Sequence, residues 1–101
     1  MAWIVLRFLP MWRVSMVSGV KSQTCRHVAH GMVGDRFQCF GVLFELTEVK
    51  QVVLGDVDLC EFSKEGCDST AEFLHAWAVA YPFKAYDPKR LVWRHVFKKV
   101  T

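Results

Sequence analysis

The chain has 101 residues, 52% of them hydrophobic and 23% charged, with 8 Phe, 4 Trp and 2 Tyr. That length supports one core and excludes two, and so much apolar side chain excludes a disordered tail. Arg7 and Arg13 interrupt the N-terminal apolar stretch, so no run approaches the roughly 20 uncharged residues of a membrane span or the unbroken apolar segment of a secretory signal. The acid-free, arginine-bearing start also has the composition of a mitochondrial presequence, but its apolar residues read as core. The expectation is a soluble, cytoplasmic protein without a membrane partner.

Taken in order, residues 3–8 are apolar and β-branched enough for a short strand. Over residues 10–19, Trp12, Val14 and Met16 alternate as in a strand, yet Pro at the start and Gly at the end punctuate a short helix. The punctuation decides for helix. Gly31 to Gly34 with Asp35 mark a turn, residues 36–45 read as a strand, and residues 49–54 as its antiparallel partner after a short connection. Gly55 breaks that run and leaves residues 57–62 as a weak segment, read as loop. Ser69-Thr70-Ala71-Glu72 is a capping box, followed at helical spacing by Phe73, Leu74, Trp77, Ala78 and Tyr81, and stopped by Pro82. Across residues 90–100, Asp87-Pro88 could open a helix, but Leu91, Val92, Trp93, Val96 and Phe97 favour a strand. Short strands with one or two helices make an α+β domain.

Charge is segregated. Residues 1–34 hold four basic and no acidic side chains, residues 35–72 nine acidic and three basic, and residues 73–101 six basic and one acidic. The two ends could build a basic face that receives phosphate, or could simply carry solvated bases on neighbouring strands. The overall +3 is far from the charge of a dedicated nucleic-acid binder. Cys25, Cys39, Cys60 and Cys67 with His27, His30, His75 and His95 lack any Cys-x2-Cys pair, so buried free thiols are expected and neither a metal site nor another cofactor is.

Gly19-Val20-Lys21-Ser22-Gln23-Thr24-Cys25-Arg26 resembles the Gly-x-Lys-x-x-Thr-x-Arg signature of the ASCH domain, the activating-signal-cointegrator homology family. Phe8-Leu9-Pro10 before it, the Gly34-Asp35 turn, Glu65-Gly66-x-x-Ser69-x-x-Glu72-Phe73 and the closing Val96-Phe97 resemble the family's other features, in the family's order. The resemblance spans nearly the whole chain and implies one PUA-like domain over residues 1–101: a small antiparallel β-barrel with a helix after the first strand and another before the last. It also implies a cleft for RNA or nucleosides. Some small bacterial single-domain members are amidohydrolases of N4-acetylcytidine, and ribonuclease activity is ascribed to others. The lysine, threonine and glutamate of the enzyme members fall on Lys21, Thr24 and Glu65. Cys25 stands where the family prefers an aliphatic residue and is expected to face the core. Val20 stands where a basic or small residue is common.

In an extended segment Thr24 and Arg26 share one face, Cys25 and His27 the other. Lys21 joins Thr24 only if the chain bends around Ser22, which Gly19 makes inexpensive. Amide hydrolysis needs a nucleophile, a proton acceptor and an oxyanion stabiliser. Thr24 could supply the hydroxyl, which is inert without a base. A lysine base must be neutral, its pKa brought from about 10.4 towards roughly 7–8 by burial and a nearby cation, for which Arg26 is placed. An ionised Glu65 beside it would instead keep Lys21 protonated, making Glu65 the base and Lys21 the oxyanion donor. Both assignments fit the sequence.

Each residue also has an ordinary reading. Lys21 and Arg26 suit phosphate contacts or solvated bases, Thr24 is an ordinary strand residue, and Glu65 before Gly66 suits a polar turn. Glu72 reads as a cap, and Phe73 and Trp77 as core. Trp12 and Trp93 could stack on a base but read first as core. The expected function is therefore an amidohydrolase of an acylated pyrimidine nucleoside. The alternative is a non-catalytic RNA-binding module, or a ribonuclease-like member, gripping RNA through Arg26, Arg94, Lys98 and Lys99. The aromatic content also admits a host-directed protein-interaction domain.

Overall fold

The computed structural model describes residues 1–101, and its long final strand lies at the centre of the sheet. The elements are a 3-10 turn (Pro10–Trp12), α1 (Arg13–Ser18), β1 (Gln23–Arg26), β2 (Arg36–Cys39), β3 (Val42–Val53), α2 (Leu54–Cys60), α3 (Thr70–Ala80) and β4 (Leu91–Lys99). The four strands form one antiparallel sheet in the order β1-β4-β3-β2. This is the expected α+β, PUA-like class, with the sheet curled as a half-barrel rather than closed as a barrel. No helix is long and apolar enough to cross a membrane.

Residues 3–8 form no ladder, contrary to the expected strand. Trp3 makes a single parallel bridge to Arg36, with Ile4 N–H donating to the Arg36 carbonyl at 2.9 Å. The alternation is there, since Leu6 is buried between exposed Val5 and Arg7. Beyond the bridge, the Arg7 carbonyl accepts from Arg26 Nη2 at 2.7 Å rather than from a neighbouring strand. The 3-10 turn and α1 then follow, as Pro10 and Gly19 foretold.

The expected strand over residues 36–45 is two strands. Phe40 and Gly41, at φ of 54° and 76°, make a two-residue hairpin between Cys39 and Val42, where a type I′ turn requires positive φ at both positions. Residues 49–54 are consequently not a separate partner: β3 runs to Val53, interrupted only by an irregularity at Thr47 between Leu46 and Glu48. Residues 57–62 belong mostly to α2, not to a loop. Gly55 is a close approach rather than a breaker there, since a Cβ would lie 2.8 Å from the Pro88 carbonyl. At α3, the Ser69 hydroxyl accepts from Glu72 N–H at 3.1 Å, but the Glu72 carboxylate makes no return bond, so half the box is formed. Leu74 and Ala78 turn outward, and Ala76 joins Phe73 and Trp77 inside.

Two apolar clusters hold the molecule. Leu6, Met16, Phe37, Phe44, Leu46 and Phe97 form one, where the Phe37 and Phe44 rings stack at 5.2 Å and Phe97 meets Phe44 edge-on at 5.3 Å, pairs that add about 0.5–1.5 kcal/mol each to their burial. Cys25, Leu54, Val57, Phe73, Trp77 and Val92 belong to the other. Trp12 packs against both.

Candidate active site

Backbone bonds bring distant residues to one place. Gly19 ends α1 at φ 86°, a left-handed cap that suits glycine, and Lys21 N–H then returns to the Ser15 carbonyl at 2.9 Å. This turns the Lys21 side chain inward. The next two amides, of Ser22 and Gln23, both donate to the Lys64 carbonyl at 2.9 and 3.2 Å, which stitches the segment carrying Glu65 beside β1. Gly66 completes the contact. Its φ is 91°, and a Cβ there would lie 3.0 Å from Lys21 Cβ and 3.1 Å from the Trp12 ring.

The result is a cavity of about 360 Å³, within the usual range for small-molecule sites. Lys21, Thr24, Arg26 and Glu65 form its polar floor, Phe8 and Trp12 one wall, and Phe73, Trp77 and Tyr81 the other. Lys21 Nζ donates to the Glu65 carbonyl at 2.7 Å, stands 4.0 Å from Glu65 Oε1, and lies 4.4 Å from the centroid of the Trp12 ring. Arg26 Nε donates to Thr24 Oγ1 at 3.1 Å, and its guanidinium lies 4.9 Å over the Phe8 ring. The Cys25 thiol donates to Glu65 Oε2 at 3.7 Å.

Burial governs the electrostatics. Lys21, Thr24 and Glu65 are 4%, 6% and 5% exposed. Loss of water lowers the Lys21 pKa and raises that of Glu65, each opposed by the charge of the other. Arg26 also lowers Lys21, but as the smallest of the contributions, so burial takes the part expected of that cation. Burial pushes the Cys25 thiol far up and Cys67 to about 11. Both thiols are therefore protonated near neutrality and poor nucleophiles, leaving the Thr24 hydroxyl as the nucleophilic oxygen on the floor.

The other expected contacts lie elsewhere. Arg94, Lys98 and Lys99 line no part of this cavity. Arg94 is bound by Glu48 and Glu61 at 2.8 and 3.0 Å, Lys98 is 3.9 Å from Glu45, and Lys99 Nζ donates to the Val17 carbonyl at 2.8 Å. The chain ends do lie together, through β1 on β4, but acids of the middle block sit among their bases.

Sequence reasoning allowed Trp12 a stacking role but missed the rest of the walls. Cys25 faces Glu65 as well as the core, and Trp12, Phe73 and Trp77 line a cavity besides filling one. A signal was available: Phe73, Trp77 and Tyr81 repeat at four-residue intervals, an aromatic stripe along one face of α3 that ends on its C-cap residue. No group of three or more His, Cys, Asp or Glu is arranged to hold a metal, and the four cysteines are free.

No protein-family model matches this sequence, and no curated protein is significantly similar to it. Solved structures share its fold. The ASCH domain of Lactobacillus crispatus JV V101 superposes with a TM-score of 0.69 at 15% identity, over 97% of this chain and 78% of that one. Protein EF3133 of Enterococcus faecalis V583, of the DUF984 family, gives 0.64 at 17% identity over 98% and 75%. The protein PH0355 gives 0.68 at 14% identity over 99% and 100%. At such identities the likeness is one of fold. The chain has the ASCH-type, PUA-like fold, and the segment 19–26 that resembles the ASCH signature supplies part of the cavity floor.

Proposed function

We propose that this protein hydrolyses the amide of an acylated pyrimidine nucleoside, with N4-acetylcytidine as the type substrate. The observation that carries this reading is the meeting of an amine, a hydroxyl and a carboxyl group, from Lys21, Thr24 and Glu65, on the floor of one aromatic-walled cavity. Aromatic walls suit a flat base, and a polar floor suits the amide it bears. The resemblance of residues 19–26 and 65–73 to the ASCH pattern supports the same assignment.

In this reading Thr24 Oγ1 attacks the acyl carbonyl while its proton passes to Glu65. Arg26, already a donor to that oxygen, favours its developing negative charge. Lys21 donates to the oxyanion. As the C–N bond breaks, Glu65 returns the proton to the departing N4 amine and the nucleoside leaves. Water then attacks the acyl ester on Thr24 while Glu65 accepts its proton; as the C–O bond breaks Glu65 returns that proton to Thr24 Oγ1, and acetic acid leaves to ionise in solution. Lys21 is the donor because a carbonyl and a carboxylate both face its nitrogen, and both attract an ammonium.

The test is spectroscopic. N4-acetylcytidine incubated with the protein should lose its ultraviolet band as that of cytidine grows, and Lys21→Met and Glu65→Gln should stop the change. An unchanged spectrum at high protein concentration would overturn the reading. Salt-dependent RNA binding that survives Lys21→Ala but weakens when Lys98 and Lys99 are neutralised would replace it with a binding module.

A further inference from the structure

Lys21 and Glu65 are separated by one transferable proton. Ammonium with carboxylate is one arrangement, amine with carboxylic acid the other, and burial favours the second because it holds no charge out of water. Local contacts must decide. The groups facing Lys21 Nζ are Trp12 of the 3-10 turn, Cys25 and Arg26 of β1, and Glu65 and Cys67 of the segment between α2 and α3. The two thiols are neutral, and Arg26 repels an ammonium. Attraction comes from the Glu65 carbonyl at 2.7 Å and carboxylate at 4.0 Å and from the face of Trp12, whose centroid is 4.4 Å from the nitrogen.

The indole is held in that place. Gly66 packs against it and against Lys21, where a Cβ would lie 3.1 Å from the ring and 3.0 Å from Lys21 Cβ, and the Trp12 backbone N–H, which fixes the turn carrying the ring, donates to the Leu9 carbonyl at 3.0 Å. A π face attracts an ammonium and is nearly indifferent to a neutral amine. We propose that Trp12 is a positioning residue: its ring holds the buried Lys21 as an ammonium, leaves Glu65 ionised, and so fixes Lys21 as oxyanion donor and Glu65 as base. The half of this that concerns activity rests on the hydrolase reading; the half that concerns protonation does not.

The test labels lysine Cε with carbon-13 and follows the Lys21 titration by NMR. It compares the native protein, Trp12→Phe, Trp12→Leu, and protein whose tryptophans are fluorinated. Fluorine drains π density while keeping ring shape, and of the 4 tryptophans only Trp12 lies over a lysine, so the fold is kept and one contact is read. Lys21 should titrate about one pH unit lower after fluorination and in Trp12→Leu, with Trp12→Phe between. On N4-acetylcytidine the alkaline limb of kcat/KM should move down by the same amount. A wall that only excludes water gives the opposite result: Lys21 titrates higher in Trp12→Leu, where water enters, and does not respond to fluorine. Either finding overturns the proposal. If the native protein leaves N4-acetylcytidine intact, the hydrolase reading fails by itself, and the NMR titration still decides Trp12 by the same signs.

Discussion

Glu65 and Lys21 are a buried pair that function accounts for better than stability does. Their carboxylate–ammonium separation of 4.0 Å is too long for a hydrogen bond, while both groups have surrendered water. Replacing both groups by neutral ones removes that cost, whereas replacing the acid alone leaves Lys21 buried without its partner charge. We therefore expect Lys21→Met combined with Glu65→Gln to lose at least about 10²–10⁴-fold in kcat while the urea midpoint holds or rises; an equal fall in both would show a merely structural pair. The directions of the two pKa shifts also set a pH profile. The base works only when ionised and its pKa is raised, so activity should appear above the usual carboxylate range. The donor works only when protonated and its pKa is lowered, so activity should vanish below the usual lysine range. A bell narrowed from both sides in kcat/KM is the expected result, and a plateau reaching pH 10 would contradict it. That Lys21, Thr24 and Glu65 share one cavity was legible in the sequence through their likeness to the ASCH pattern. The place of Cys25 was not, because alternation assigns a strand two faces and the concave surface here wraps around β1, which carries three consecutive buried residues.

Among the helices, strands and turns, those with strong punctuation were readable: Pro10 and Gly19 around α1, and Ser69 before α3. The elements misread were decided by contacts distant in sequence. The Phe40–Gly41 hairpin sits inside an unbroken apolar run, and Gly55 lies in a helix where it meets Pro88, 33 positions on. Glycines separate local from tertiary demands in a way that can be measured. Gly19→Ala meets only the cost of a left-handed backbone, about 1–2 kcal/mol, since nothing lies within 4 Å of its Cβ. Gly66→Ala should cost more in urea unfolding, because its Cβ also strikes Lys21 and Trp12, and it should lower kcat as well. Equal costs at the two positions would mean that the Gly66 contact gives way freely. Ser69→Ala should cost about 1 kcal/mol without touching kcat.

Over the entire chain, the charge blocks foretold that the two ends would meet, and β1 on β4 is that meeting. The basic face that they also allowed is interrupted, because Glu45, Glu48 and Glu61 come from the middle block to sit among Arg94 and Lys98. Neutralising Lys98 and Lys99 should accordingly leave kcat/KM on a free nucleoside within about twofold, as neither lines the cavity and the exposed Lys98–Glu45 contact contributes little; a tenfold loss would place the substrate elsewhere. The most direct test is a crystal structure of Glu65→Gln soaked with N4-acetylcytidine. The base should lie between Trp12 and the aromatic face of α3, with the acetyl oxygen within hydrogen-bond reach of Lys21 Nζ and the carbonyl carbon facing Thr24 Oγ1. A nucleoside bound outside this cavity, or inside it with the acetyl group turned to solvent, would contradict the assignment.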